Sequence, residues 1–332
     1  MATKKELNKE TEYYVQGLSL AVSLDKEAKV VWREHRMVVS TNVATLHIPC
    51  TFTASRGVLA SDLINALKGC NAQQFTITEQ NNTLVISWGR RKAELQTIEQ
   101  ASIYVRDPDQ YQGVNDIPLE FTDVLRDALK DLVAKDETYA TVIQFKDDAL
   151  YWTNRSSVAQ IKVPTMLPHV LLYLKDLQKV VGQKGLNVKH IWWSVRGTIS
   201  FWYDNGFVIQ LPTVDESAIG LPKLDHFFQI GIHDAIYELT EDHFDAVEYV
   251  GRFADKIIFI EPTFIGTEKN PAHGTHVETE GLPISIAISA DIAKLGAFKK
   301  AKRLVKKEAS SNVGFMIERE NVMFCFSKMK EQ

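Results

Sequence analysis

Residues 58–98, VLASDLINALKGCNAQQFTITEQNNTLVISWGRRKAELQTI, place a short amphipathic helix directly before a β-hairpin. Apolar positions at helical spacing predict the helix over 58–70, and two β-rich runs, 75–78 and 84–88, predict strands that turn at Asn81-Asn82. The same order occurs twice more along the chain. A helix over 170–181 leads into strands 188–194 and 198–203, and a helix over 292–305 leads into strands 313–317 and 322–326. A second marker precedes each copy: Thr41-Asn42, Thr153-Asn154 and Thr267-Glu268, spaced by 112 and then 114 positions. Self-similarity at a long, fixed period is the signature of one structural unit duplicated along a chain.

Working outward, 332 residues accommodate three units of roughly 110 residues each. The expected divisions are 1–105, 106–217 and 218–332, with linkers near the Asp-Pro-Asp of 106–115 and near Gly220 and Pro222 in 215–225. In the middle copy, apolar spacing predicts a helix over 119–134 with Thr122 as N-cap. Strands 139–145 and 150–152 then flank a polar turn at Lys146-Asp147-Asp148, and 158–163 adds another. Pro164 and Pro168 punctuate the approach to the second helix, Gly182 stands at its C′ position, and a hairpin through Arg196-Gly197 closes the copy. The first copy supplies a helix over 11–22 and strands 30–32, 37–40 and 43–52. In the third, an apolar stretch 227–232 precedes a helix over 240–253 capped by Thr240, then strands 256–260 and 284–288. Each copy is two helices against several antiparallel strands, an α+β layer.

Composition narrows the function. With 45% apolar and 24% charged residues, each unit can bury its own core. No run of 18 apolar residues exists, and the first 13 residues are charged where a signal peptide needs an apolar stretch, so a cytoplasmic protein without membrane contact is expected. Cys50, Cys70 and Cys325 are scattered and odd in number, which reads as buried thiols in a reducing compartment. The net charge of −4 argues against a generally basic nucleic-acid coat protein but leaves room for positive charge confined to one surface. His273 and His276 with Glu278 and Glu280 are chemically suitable metal ligands. In a loop containing Gly and Pro, solvated polar residues account for them better. Phosphate-cradling loops, nucleophile elbows and paired-cysteine motifs are absent, so neither an enzyme nor a cofactor is expected.

The stretch 58–98 and the stretch 149–159, ALYWTNRSSVA, together with the threefold order, resemble the bacterial sliding clamp family, the β subunit of DNA polymerase III. The resemblance runs through almost the whole chain. It implies three tandem clamp domains, a homodimeric ring around duplex DNA, and a processivity role tethering DNA polymerase and other replication proteins, with a clamp loader to open the ring. It also places the protein in the bacterial cytoplasm or nucleoid, and a chain shorter than the cellular family's suits a divergent or phage-encoded member.

Helices lining such a ring need cations for phosphates and no groups that read bases. Candidates are Lys68, Arg126 with Lys130 and Lys175 with Lys179, each pair four apart on one helix face, and the cluster Lys299, Lys300, Lys302, Arg303, Lys306 and Lys307. Asp123, Asp127 and Asp131 alternate with the basic residues of one helix, which equally describes a solvated face. The resemblance further implies an apolar pocket that takes a partner peptide, built from Thr153, Arg155, Ser156, Ser157 and Val158, from Pro222, and from Phe324, Phe326 and Met329. Two departures bear on it: the family's Gly-His-Arg is here Arg155-Ser156-Ser157, and its Met-Pro-Met ending is here Phe324-Cys325-Phe326. The alternatives are a clamp-fold interaction protein that does not encircle DNA and a metal-dependent hydrolase using the His273/His276 loop.

Overall fold

Asn81 and Asn82 both adopt the left-handed conformation, with φ of 47° and 65°, which is what a tight two-residue hairpin turn requires. The computed structural model describes residues 8–70, 74–103, 105, 111–132, 138–154, 157–194, 197–290, 301–308 and 313–327. The first run of elements is α1 (Lys9–Leu24), β1 (Lys29–Arg33), β2 (Arg36–Ser40), β3 (Thr45–Pro49), β4 (Val58–Leu59), α2 (Ala60–Cys70), β5 (Thr76–Gln80), β6 (Thr83–Trp88) and β7 (Arg91–Gln96). A second run gives β8 (Tyr111–Asp116), α3 (Glu120–Leu129), β9 (Val142–Thr153), β10 (Ser157–Tyr173), α4 (Leu174–Val181), β11 (Val188–Ser194), β12 (Thr198–Tyr203) and β13 (Val208–Pro212). After α5 (Glu216–Ile219) and a 3-10 turn (Asp225–Phe228), the third gives β14 (Ala235–Glu238), α6 (Glu241–Gly251), β15 (Ile257–Glu261), β16 (Phe264–Gly266), β17 (His276–Glu278), β18 (Ile286–Ser289), β19 (Arg303–Lys306), β20 (Val313–Glu318) and β21 (Val322–Ser327).

Two compact units result, one from residues 1–122 and 175–214, the other from 123–174 and 215–332. The first holds an eight-stranded sheet in the order β4-β1-β2-β3-β13-β12-β11-β8 and a three-stranded sheet β5-β6-β7. In it α1 packs along α2, burying Leu18, Leu20 and Ala21 together with Leu63 and Leu67. Gly17 allows the close approach: a Cβ there would stand 2.6 Å from the Ile48 side chain and 3.0 Å from Phe207. The second unit holds a six-stranded sheet, β14-β19-β20-β21-β10-β9, and a four-stranded sheet, β17-β16-β15-β18. Among the described residues every strand pairing is antiparallel.

The repeated threonines do the same job in each run. The backbone N–H of Thr41 donates to Ala44 O at 3.0 Å, Thr153 Oγ1 donates to Ser157 O at 2.9 Å, and the backbone N–H of Thr267 donates to Thr275 O at 2.9 Å. Each ties the end of one strand to the start of the next: β2 to β3, β9 to β10, β16 to β17.

Several sequence expectations are corrected. Lys146-Asp147-Asp148 is not a hairpin turn, because β9 runs through it as one strand, with Asp147 at φ 54°. Pro164 and Pro168 do not end β10 either; they sit where its register against β9 slips, between Lys162 and Leu167 and between Leu167 and Val170. Such irregularities tolerate a residue that cannot donate to the ladder. The second middle helix therefore begins at Leu174 rather than near 170, and 170–173 are strand. Thr122 lies inside α3, where its Oγ1 accepts the Val188 N–H at 2.8 Å, so it is not the N-cap. Gly182 lacks the positive φ of a left-handed C′ residue. It matters instead for space, since a Cβ there would meet Gln178 O at 2.4 Å.

In the third run, 225–228 form a 3-10 turn, and the strand that opens it is Ala235–Glu238 rather than any part of 227–232. Thr240 does cap α6, in a reciprocal box with His243. The helix expected over 292–305 is contradicted at its end, because Arg303–Lys306 form β19. Residues 291–300 lie outside the described residues.

Candidate functional site

Antiparallel register aligns Val305, Met316, Cys325 and Val158 in one row across β19, β20, β21 and β10. Two residues along, on the same face, come Met323, Gln160 and Tyr151. Leu224, Phe227 and Phe228 pack over this face, and Tyr151 and Phe228 have ring centroids 6.1 Å apart. Cys325 Sγ donates to Phe227 O at 3.3 Å. Burial pushes its thiol up to about 12, only partly opposed by the Lys307 charge, so Cys325 is a packing residue and not a nucleophile.

Beside the apolar cluster a pocket of about 150 Å³ opens, lined by Gln144, Lys146, Tyr151, His169, Pro222 and Leu224 among others. Its walls come from two strands and from the segment after β13, which is tied across by polar contacts. Lys146 Nζ stands 3.3 Å from Asp225 Oδ2, and Gln144 Nε2 donates to Glu216 Oε1 at 3.3 Å. The hydrogen bond from Lys146 holds the Asp225 carboxyl below its usual range. His169 completes the rim, 3.0 Å from Gln144 Nε2 and 3.9 Å from Glu216 Oε2. Tyr151, Leu221, Pro222 and Leu224 give the pocket an apolar side, and the six other lining residues are polar or charged.

Of the residues expected here, Pro222 lines the pocket and Val158 belongs to the cluster beneath it. Thr153 and Ser157 are buried and close the β9–β10 hairpin. Phe324 and Phe326 do not point into the pocket. They stack 6.2 Å apart, and Phe326 stacks on Phe315 at 4.9 Å, on the face opposite Cys325. Met323 and Cys325 are the β21 residues on the pocket side. Arg155, Ser156 and Met329 lie outside the described residues. Sequence reasoning missed Tyr151, Gln144, Lys146, His169 and Leu224. Alternation along 142–153 could have offered Gln144 and Lys146 as one face, but the register that brings β21 beside β10 has no local signal.

The expected cations divide by their neighbours. Lys68 is exposed in the last turn of α2, and Lys175 is exposed and Lys179 half-buried on α4. Between the last two, burial pushes the Asp176 carboxyl up, against the pull of Lys179. The cations on α3 and just beyond it have carboxylate neighbours: Arg126 Nη1 is 2.6 Å from Asp123 Oδ1, and Lys130 Nζ is 3.9 Å from Asp127 Oδ1. Lys302 and Lys306 are exposed, whereas Arg303 pairs with Glu318 and Lys307 is buried against Asp234 at 2.8 Å. Because 303–306 is a strand, alternation sends Arg303 and Lys306 to opposite faces, so they do not form one helical cluster. Lys299 and Lys300 lie outside the described residues.

A groove of about 270 Å³ lies against α3, bordered by Asp123, Asp127, Lys302, Arg319 and Glu320. Its floor is Arg319, only 8% exposed, whose guanidinium donates to Asp127 Oδ2 at 3.1 Å and to Asp131. Among the described residues no group of three His, Cys, Asp or Glu side chains could hold a metal ion, and the His276 ring rests 6.2 Å from that of Phe264. No described helix is long and apolar enough to cross a membrane.

No family model and no curated protein matches the sequence. Solved structures do match in fold. The beta sliding clamp of C. crescentus superimposes with a TM-score of 0.77 at 12% identity, covering 97% of this chain and 98% of that one. A DNA polymerase sliding clamp from Pseudomonas aeruginosa gives 0.75 at 13% identity, again over 97% and 98%. The DNA polymerase III beta subunit of Thermotoga maritima gives 0.71 at 13%, with the same coverage. The fold is therefore the mixed α+β fold of sliding clamps, present over essentially the whole chain.

Proposed function

We propose that this chain is one half of a DNA sliding clamp: two copies, each of three domains divided at 1–105, 106–217 and 218–332, close into a ring around duplex DNA and tether a polymerase. The observation that carries the reading is a pattern in the sheets. The order β4-β1-β2-β3 joins the order β13-β12-β11-β8 through β3 and β13, and β10 joins the order β21-β20-β19-β14 in the same way. Two half-sheets are left over, β18-β15-β16-β17 and β7-β6-β5. By position β17 corresponds to β3 and β10, and β7 to β13 and β21, yet each has one neighbouring strand among the described residues. A second copy supplies the missing neighbours head to tail, which also hides strand edges that would otherwise invite aggregation.

In this reading no covalent chemistry is carried out, and no cofactor is used. Lys68, Lys175, Lys179, Lys302 and Lys306, with Lys299 and Lys300, meet phosphates diffusely, as sliding over any sequence demands. Arg126, Lys130 and Arg303, each beside a carboxylate, contribute less. The Pro222 pocket takes the partner peptide, a clamp loader opens the ring, and the protein acts in the cytoplasm of a bacterium, whether encoded by the cell or by a phage. One observation favours a second reading, a clamp-fold interaction protein that does not encircle DNA: the carboxylates of α3 cancel its cations.

Sedimentation separates the two. A mass near twice 37.6 kDa is expected, and a monomer at micromolar concentration would overturn the ring. Within a dimer, replacing Lys175 and Lys179 by Glu should reduce retention on closed circular DNA by roughly tenfold or more at moderate salt, with folding unchanged. Undiminished retention would remove α4 from the DNA-facing surface.

A further inference from the structure

We infer that the outer face of α6 and the β6–β7 turn form a subunit contact in which Glu248 and Asp245 hold Arg90 of a second copy, beside Tyr249. This rests on the ring reading and supplies the side chains that would carry it. At both strand joints inside the chain, the helix of one half-sheet also touches the turn that leads into the partner strand. In unit 1, Tyr13 of α1 lies against the β12–β13 turn, with its ring 4.7 Å from Phe207 and its hydroxyl donating to Asn205 O at 3.3 Å. In unit 2, Asp127 of α3 and Asp131 just beyond it hold Arg319 of the β20–β21 turn. A contact of helix with turn thus accompanies each pairing of strands.

The leftover half-sheets offer the matching parts. The helix above β15, β16 and β17 is α6, and the turn leading into β7 is Gly89-Arg90. Gly89 is left-handed, at φ 55°, so Arg90 is the only side chain that this two-residue turn presents. Counted from the first helical residue, Tyr13 is fifth in α1 and Asp127 eighth in α3; the same positions of α6 are Asp245 and Glu248. Both are exposed, as is Arg90. The helix is acidic, with Glu241, Asp242, Asp245 and Glu248, while the turn and the start of β7 are basic, with Arg90, Arg91 and Lys92. Tyr249 and Phe253, 47% and 55% exposed with ring centroids 5.2 Å apart, place a solvent-facing aromatic pair beside those acids. An exposed aromatic pair beside complementary charge is the composition of an interface centre, where arginine stacks on rings as well as pairing with carboxylates.

The contact has a competitor in its own helix, since Arg252 Nη2 lies 2.9 Å from Glu248 Oε1. That pair is exposed at both ends and yields readily to a partner.

The test is a charge exchange on the full chain, read by sedimentation across a dilution series, with circular dichroism confirming each fold. Glu248→Arg and Arg90→Glu should each raise the dimer dissociation constant by roughly tenfold to a hundredfold, because each sets like charges against each other. The chain carrying both substitutions should recover part of the loss, since the exchanged pair attracts again while Asp245 keeps its charge. A wild-type dimer whose single variants associate normally would overturn this contact and leave the ring standing, and so would single variants that weaken the dimer without recovery in the double variant. A monomeric wild-type chain would overturn the ring reading, and this contact with it.

Discussion

At the β3–β13 joint of unit 1 a histidine meets a side-chain amide. His47 Nε2 lies 3.2 Å from Gln210 Oε1, both residues are almost fully buried, and the supporting helix contact is aromatic, Tyr13 on Phe207. At the β10–β21 joint of unit 2 the strand row is apolar, Val158 opposite Cys325, and the helix contact is ionic, Arg319 between Asp127 and Asp131. One geometry is thus secured by two chemistries. The architecture needs a helix-to-turn contact beside each strand pairing, while the chemistry of that contact is left open, and different salt and pH responses follow.

The sharpest way to break the comparison is Arg319→Ala, which strands Asp131 half-buried without its guanidinium. We expect a loss of about 3 kcal/mol in unfolding followed by urea, confined to probes in unit 2 such as Trp152 fluorescence. An equal effect on Trp192 and Trp202 of unit 1 would contradict the separation. Tyr13→Ala should act on unit 1 instead, by about 2 kcal/mol for the lost ring packing and hydroxyl contact, and unlike Arg319→Ala its effect should not change between low and high salt.

Acid offers the mildest discrimination. Burial pushes the Asp234 carboxyl up, but hydrogen bonds from Lys307 and from the Gly231 and Glu308 N–H groups outweigh it and hold the group below its ordinary value. A carboxylate depressed in the folded state contributes stability that is complete above its unfolded pKa and lost as pH falls through the folded one. Unit 2 should therefore weaken below about pH 4. The Asp234→Asn chain should lose that part of its pH dependence, and an unaltered acid profile would show that Asp234 is not its source.

Much of the fold was legible wherever a local signal suffices. Asn81-Asn82 turns as expected, Thr240 caps its helix, and the threonines at 41, 153 and 267 mark strand ends in all three runs. The misread strands share a cause: each depended on pairing with another segment. Lys146-Asp147-Asp148 has turn chemistry, yet the long β10 strand opposite holds those residues in one strand. The run 299–307 is rich in helix-forming lysine, but Val305 and Leu304 sit in a sheet because β14 and β20 flank them. The candidate site depended on register too: the family resemblance implied Phe324 and Phe326, while the β10–β21 register turns Met323 and Cys325 toward Tyr151 and Phe228.

The two leftover edges, β7 and β17, are unlike each other, so a contact between them joins different surfaces of two identical chains. Such a contact does not by its own symmetry stop at two copies. Whether it yields a closed ring or an open helical filament depends on whether the turn per chain sums to a full circle. A substitution that alters the bend of the chain while sparing both edges should therefore produce fibres rather than free subunits, and a closed dimer, once formed, holds its second contact at high effective concentration through the first.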